Sequence, residues 1–397
     1  MNGRRLREEL RRGAPADADA RERTWRTVRA AFAEHEPQPP RRPLRHVVVV
    51  AVVLACVAVA IGTSGPGDAL ARFVERVLGT GQPGARPALI SVPGGGRLLV
   101  AADPGVWVIA PDGAKRLLGR YDAAGWSPRG LFVLAWRDRE LTALEPGGRV
   151  RWSLSRAQPI RSASWSPGDG FRVAYLSGSR LRIVNGDGTG DRDHGAALAR
   201  VAPAWRPGER HVLAYADAAG RIRVEDVDTR RRLWRSSRVD GLRRLAWAPG
   251  GGRLLALTAR RVVIFDRGGR IRAARALGGA AVAQDAAWAP AGDRVAVARY
   301  DPRRERSDVV LIAPAAGGRQ RLLFSGPGRF GVLAWSPDAR RLLVPWPTAN
   351  QWLFLRAGAA PRVTAVANIA AQFDPGAAQP RFPRVAGWCC ASRRSGP

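Results

Sequence analysis

Few side chains in this sequence stand where they could do chemistry. Of its four histidines, His35 precedes and His46 borders an apolar stretch near the N-terminus, which leaves His194 and His211. Neither stands within a known nucleophile or metal motif: there is no G-x-S-x-G elbow, P-loop, H-E-x-x-H or Cys-x-x-Cys. The expectation is a protein without catalytic residues or a cofactor. The metal-like segment runs from Asn185 to Asp193, where Asn185, Asp187, Thr189, Asp191 and Asp193 put oxygen-bearing side chains at alternate positions and Gly190 stands at the sixth. The twelfth position, where a bidentate glutamate closes a calcium sphere, is Ala196. A hairpin turn uses the same residue types, so both accounts stay open. Cys389 and Cys390 are adjacent and follow Trp388. A vicinal disulfide that pins the tail, an intermolecular bridge and a reactive pair are the alternatives for them. The third cysteine, Cys56, lies in the apolar stretch as a small hydrophobe.

The other chemical resource is charge. Lys and Arg total 65 against 33 Asp and Glu, a net charge of +32, and Lys115 is the single lysine. Clusters occur at Arg230-Arg231-Arg232, at Arg260-Arg261 and at Arg303-Arg304 with Arg306. Such a surface attracts anionic polymers and acidic head groups. No aromatic stacking motif accompanies the clusters, and nucleic acid is not the expected partner.

The elements that position these groups follow from patterning. Residues 47–67 carry no charge, enough for one membrane-spanning helix, and Arg41, Arg42 and Arg45 flank them. That flank predicts a cytoplasmic N-terminus and an extracytoplasmic remainder. Two rivals use the same residues: a cleaved signal peptide with Ala58-Val59-Ala60, and a lipoprotein acylated at Cys56. The Arg-rich stub 1–46 shows one apolar stripe through Trp25, Val28 and Phe32, the mark of a short helix that lies on the inner leaflet or docks a regulator. A juxtamembrane helix from Asp68 and a Gly/Pro linker fill 68–87.

Beyond it the sequence repeats. Trp-x-Pro occurs at Trp126, Trp165, Trp205, Trp247, Trp288 and Trp335, spaced 39, 40, 42, 41 and 47 residues apart. Val92-Pro93-Gly94-Gly95 is a degenerate seventh copy, and Phe373-Asp374-Pro375-Gly376 a candidate eighth. Each copy ends a short apolar strand at the Trp, turns at Pro, and leads into further strands such as Arg253-Leu254-Leu255-Ala256 and Val262-Val263-Ile264-Phe265. Leu131-Phe132-Val133-Leu134 is the corresponding second strand after Trp126. Four short strands about every 40 residues make one propeller blade. The prediction is an all-β propeller over 88–367, with seven blades as the best count and six or eight as alternatives, and a C-terminal tail over 368–397.

The Trp-Ser-Pro-Asp turn, clearest at Trp335-Ser336-Pro337-Asp338, resembles the WD-repeat-like propellers of the TolB type. The layout of Arg-rich stub, one helix and outer propeller is similar to membrane-anchored propellers of GC-rich actinobacteria. Arg206, Ala248 and Ala289 depart from the small polar residue of the motif. The resemblance implies binding of other proteins, with no catalytic residue in the repeat itself. The expectation is therefore a membrane-anchored, extracytoplasmic binding module for a protein, peptide or anionic envelope polymer. Its rivals are a transmembrane signalling protein and a propeller-scaffold enzyme, either a hydrolase or a quinoprotein.

Overall fold

The computed structural model describes residues 91–390 apart from 169–170, 209–210, 291, 293, 314–319 and 359–361. The expected stub, spanning segment, juxtamembrane helix and linker lie outside the described residues. Among those described, no helix is long and apolar enough to cross a membrane.

The Trp-x-Pro spacing becomes seven four-stranded antiparallel sheets. Six of the innermost strands, Ala123–Trp126, Ile160–Trp165, Ala204–Trp205, Leu242–Trp247, Val282–Trp288 and Ala334–Trp335, end on the predicted tryptophans. The seventh is Arg384–Cys389, which pairs antiparallel with Arg97–Ala102. Each innermost strand touches those of its two neighbours, and the series returns to its start. The molecule is thus a closed seven-bladed propeller. We number the closure sheet blade 1 and the others blades 2 to 7 along the chain: 123–155, 160–196, 204–238, 242–276, 282–327 and 334–366.

Two expectations are corrected by this topology. The propeller does not stop at 367, because the residues expected as a tail supply the inner strand of blade 1. The Val92 copy is accordingly only the turn before Arg97–Ala102, and its tryptophan comes from the other end of the chain. The Phe373 copy begins no eighth blade. It ends a short helix, Ile369–Phe373, which buries Phe373 against Trp352 and Trp107 at centroid distances of 5.4 and 6.0 Å. Closing the ring with a terminal strand holds the first and last parts of the chain together through one hydrogen-bonded ladder.

Position within the blade explains composition. Second and third strands are covered on both faces and read as apolar runs, as in Arg97–Ala102 (RLLVAA) and Arg261–Asp266 (RVVIFD). Outer strands have one solvated face and a free edge, and they alternate with arginine, as in Arg232–Arg238 (RLWRSSR) and Ile271–Ala276 (IRAARA). Charged edges of this kind suppress strand addition by other chains.

Candidate functional site

The predicted tryptophans form the inner seams of the ring. The indole N–H of Trp205 donates to the carbonyl of Ser164 at 3.1 Å, Trp247 to Ala204 at 3.2 Å, Trp288 to Ala246 at 3.0 Å and Trp335 to Ala287 at 3.1 Å. Each acceptor immediately precedes the tryptophan of the blade before it, so each bond links consecutive inner strands. The buried indole N–H groups of Trp126 and Trp165 meet no acceptor among the described residues. The turns after Trp126 and Trp335 are closed by Gly130 N–H to Ser127 at 2.8 Å and Ala339 N–H to Ser336 at 2.9 Å, with Pro second in each. Serine also serves through its hydroxyl: Ser127, Ser166 and Ser336 accept from the amides of Phe132, Arg172 and Arg341 at 3.0, 2.8 and 2.8 Å.

Sequence reading missed the seventh seam residue. Trp388 pairs in register with Leu98 as Trp247 does with Leu254 and Trp335 with Leu342. Its indole N–H donates to the Gly95 carbonyl at 2.8 Å, and its ring meets Phe354 edge-on at 5.7 Å. Cys389 and Cys390 hence occupy the positions of Ser and Pro in the repeat. They are joined as a vicinal disulfide. The bridge lies against Gly130 of blade 2, where φ is +63° and an added Cβ would fall 2.5 Å from the Cys390 sulfur. Arg97 completes the closure: its Nη2 donates to the Gly130 carbonyl at 2.6 Å and its guanidinium stands 4.9 Å from the Trp126 ring centre. Arg206 makes the same pair of contacts at the seam of blades 4 and 5, with the Gly251 carbonyl at 3.0 Å and the Trp247 ring at 5.1 Å. That replacement of serine is a second cross-seam clasp, and burial lowers both guanidinium pKa values from the usual arginine value.

The calcium-like segment is the hairpin between the third and outer strands of blade 3, and it does not gather its oxygens. Asn185 donates to Thr189 at 3.1 Å, while Asp187 accepts from the Thr189 amide and hydroxyl at 2.9 and 2.7 Å. Asp193 takes Arg180 at 2.7 Å and the Gly195 amide at 2.8 Å. Asp191 turns the other way, receiving Arg156, Arg182 at 2.5 Å and the Tyr175 hydroxyl at 2.5 Å. Among the described residues no cluster of metal-ligating side chains forms. Burial first, and the Asp191 hydrogen bond second, push the Tyr175 hydroxyl up to about 12, so it stays protonated as a donor.

Both described histidines meet carboxylates at the seam of blades 3 and 4. His194 Nε2 lies 3.5 Å from Glu225, which also accepts from Tyr215, and the His194 side chain is 2 % exposed. His211 contacts Asp228, which Arg172 and Arg192 reach at 3.3 and 2.5 Å. Burial works to raise the Glu225 carboxyl, but His194 and Tyr215 outweigh it and hold the pKa low; His211 and the arginines do the same for Asp228. These contacts link blades 3 and 4 across the seam, and the buried Nδ1 of His194 meets no partner among the described residues.

Two cavities open at other seams. One, of about 530 Å³ between blades 2 and 3, is walled by Phe132, Trp152, Trp165 and Phe171 with Arg151 and Arg172 at the rim. The other, of about 260 Å³ between blades 5 and 6, is lined by charged side chains including Arg299, Arg304 and Arg306.

The fold and these sites define the class: a seven-bladed β-propeller with WD-repeat-like turns. No family model and no curated protein matches the sequence. Among solved structures it is similar to the β-propeller domain of Cps50 (Swd1) from Myceliophteria thermophila, with a TM-score of 0.51 and 14 % identity over 73 % of this chain and 98 % of that one. A chain of a mitotic checkpoint complex matches with a TM-score of 0.50 and 19 % identity, covering 72 % and 84 %. Hydrazine synthase from Kuenenia stuttgartiensis matches with a TM-score of 0.50 and 16 % identity over 59 % and 76 %. At these identities the likeness is one of fold.

Proposed function

We propose that this chain is a membrane-anchored, extracytoplasmic propeller of the TolB type that binds a protein, peptide or anionic envelope component without transforming it. The observation that carries the reading is how the charged groups are used. Inner carboxylates such as Asp191, Glu225, Asp228 and Asp285 are taken by Arg, Tyr, His or backbone donors. Arginine left over from such pairs gathers on outer strands and in blade-end hairpins. From Asp68 onward the chain carries 53 basic residues against 26 acidic, so the propeller presents a positive field while the carboxylates named above are already paired. Anchoring rests on the uncharged segment 47–67 and its arginine flank.

The test uses the full chain in its native membrane. Protease added outside intact cells should remove the propeller, and crosslinking should capture an outer-face component in a yield that falls as the salt present during the reaction is raised. A propeller protected until the cells are opened would overturn the topology. Steady chemical conversion of the captured component would overturn the non-catalytic reading.

A further inference from the structure

The seam of blades 5 and 6 departs from the repeat in one respect. The strands Val295–Asp301 and Arg306–Ile312 are each seven residues long, and their hairpin projects past the blade end through Pro302 to Glu305. In blade 5 the matching strands, Arg253–Thr258 and Arg261–Asp266, are joined by Ala259 and Arg260 alone. Strand alternation puts Arg299 and Asp301 on the same face as Arg306 and Asp308, because Arg299 pairs in register with Asp308 and Asp301 with Arg306. Ser325 extends that row from the outer strand, opposite Asp308. The extension of the hairpin is therefore a charged floor that carries two cross-strand Arg–Asp pairs, Arg299 with Asp308 and Arg306 with Asp301.

Over this floor lies the connection from blade 5, where Gly278 and Gly279 have φ of +87° and +49°, and nothing lies within 4 Å of a Cβ built on Gly279. Glycine accepts such angles without strain, and its missing side chain leaves the backbone open to a ligand. The half-open space of about 260 Å³ suits one small group rather than a large ring system.

The charges inside are unequally committed. Arg299 is spent on structure: its Nε and Nη2 reach Asp308 at 3.3 and 3.1 Å and its Nη1 donates to the Leu277 carbonyl at 2.5 Å. Both bonds take Asp308 Oδ2, which fixes the wall. Asp301 turns one oxygen to the Arg303 amide at 2.9 Å. Arg306 has only a long contact to the Ser325 hydroxyl, 3.5 Å, and Arg304 forms no ion pair among the described residues. The cavity wall thus carries three guanidinium groups against two carboxylates, Asp301 and Asp308, and Arg304 and Arg306 are the two not held by an ion pair among the described residues.

We infer that this cavity is an oxyanion site, in which Arg304 and Arg306 bind a carboxylate or phosphate group and Ser325 donates its hydroxyl to it. Guanidinium groups meet such anions through paired, charge-assisted hydrogen bonds, which a diffuse positive surface cannot offer. The inference gives the anionic-component reading above a location, and it rests on that reading only for the source of the anion. The anion is a free ion or a group borne on an envelope polymer; both present the same chemistry to the arginines.

Inorganic phosphate, acetate and a polyphosphate chain, titrated against the full-length protein in detergent micelles, test the assignment. Phosphate should bind saturably, and the R304Q/R306Q variant should weaken it roughly tenfold or more. R231Q/R232Q, which removes equal charge from blade 4, should change it less than about twofold. R304K guards against misfolding: it should melt with the wild type and retain intermediate affinity. Tighter binding of polyphosphate than of phosphate, still dependent on Arg304 and Arg306, places the anion on a polymer; equal affinity places it on a free ion. Equal losses in the two double variants would overturn the site in favour of diffuse attraction. No phosphate or acetate binding, with polyphosphate binding unaffected by R304Q/R306Q, would overturn the site yet leave the binding-module reading standing.

Discussion

The seam between blades 6 and 7 and the seam between blades 3 and 4 solve the same packing problem with different chemistry. Between blades 6 and 7, Phe324, Phe330, Leu333, Trp335, Leu342 and Leu353 belong to one buried cluster, with Trp346 packed against it. Between blades 3 and 4 an apolar part around Leu176, Ile183, Trp205 and Leu213 gives way to His194, Tyr215 and Glu225, and to Asp228 with its arginines and His211. The first seam is held mainly by area removed from water and by aromatic edges, neither of which depends on protonation, beside the Trp335 bond to Ala287 and the Leu333 amide bond to Asp285. The second needs its carboxylates ionised. One ring therefore contains a seam that relies on a single carboxylate, Asp285, which accepts from the Leu333 amide at 2.7 Å, and a seam that relies on several, although the strand geometry is shared.

The largest effect should come from opening the apolar seam. Phe324→Ala should cost about 3–5 kcal/mol, the usual toll of a large aromatic cavity, by denaturant unfolding, and by the same amount at pH 5 and pH 8. A marked pH dependence of that cost would erase the contrast. Glu225→Ala should cost about 3 kcal/mol, since it leaves His194 and Tyr215 buried without their partner. If that variant is as stable as the wild type, the polar seam contributes nothing to holding blades 3 and 4 together.

Acid sharpens the contrast by location. The Glu225 and Asp228 carboxyls are held below their ordinary values of 4.5 and 3.8. Their contribution is present above those values and is lost as pH falls through the lower folded-state values. Hydrogen exchange on lowering the pH past about 4 should thus open blades 3 and 4 before blades 6 and 7. Simultaneous opening would contradict the assignment. The closure seam should give the smallest effects. Trp388→Phe keeps most of the ring area and loses the Gly95 hydrogen bond, at a cost of about 1 kcal/mol. Reduction of Cys389–Cys390 should cost less, under about 1 kcal/mol, because a bridge between neighbours removes little freedom from the unfolded chain. A collapse of the melting transition on reduction would show that the bridge, and not the strand ladder, closes the ring.

Much of this fold was legible. Trp-x-Pro marks a strand end and a turn by local chemistry alone, so six inner strands follow directly from it. The second strand of blade 2 was read two residues early, at Leu131: the turn at Ser127–Gly130 runs on, Leu131 remains 58 % exposed, and the strand starts at Val133. The closure was not legible as such, because its tryptophan and its turn lie at opposite ends of the chain, at Trp388 and at Pro93-Gly94. Trp388 ahead of the Cys pair was the available signal, since Cys-Cys there stands in for Ser-Pro. The sites were harder. Asp187 to Asp193 look like a ligand set in one dimension, but strand alternation sends Asp191 to Arg156 and Arg182 while Asp187 stays in its own turn. The arginine cavity was visible only as the cluster Arg303-Arg304 with Arg306; its pairing with Gly278 and Gly279 depends on how the connection into blade 6 folds over that blade's own hairpin.

The central claim is that the propeller holds an anionic component through arginines not spent on the fold and leaves it chemically unchanged. Polyphosphate binding to the full chain in vesicles with the propeller outward, followed across a range of salt by the bound fraction and by the polymer's length, tests it most directly. The account predicts saturable binding that weakens steadily with salt, requires Arg304 and Arg306, and returns the polymer intact. Binding indifferent to salt and to both arginines, or a polymer shortened in proportion to time and protein, would contradict it.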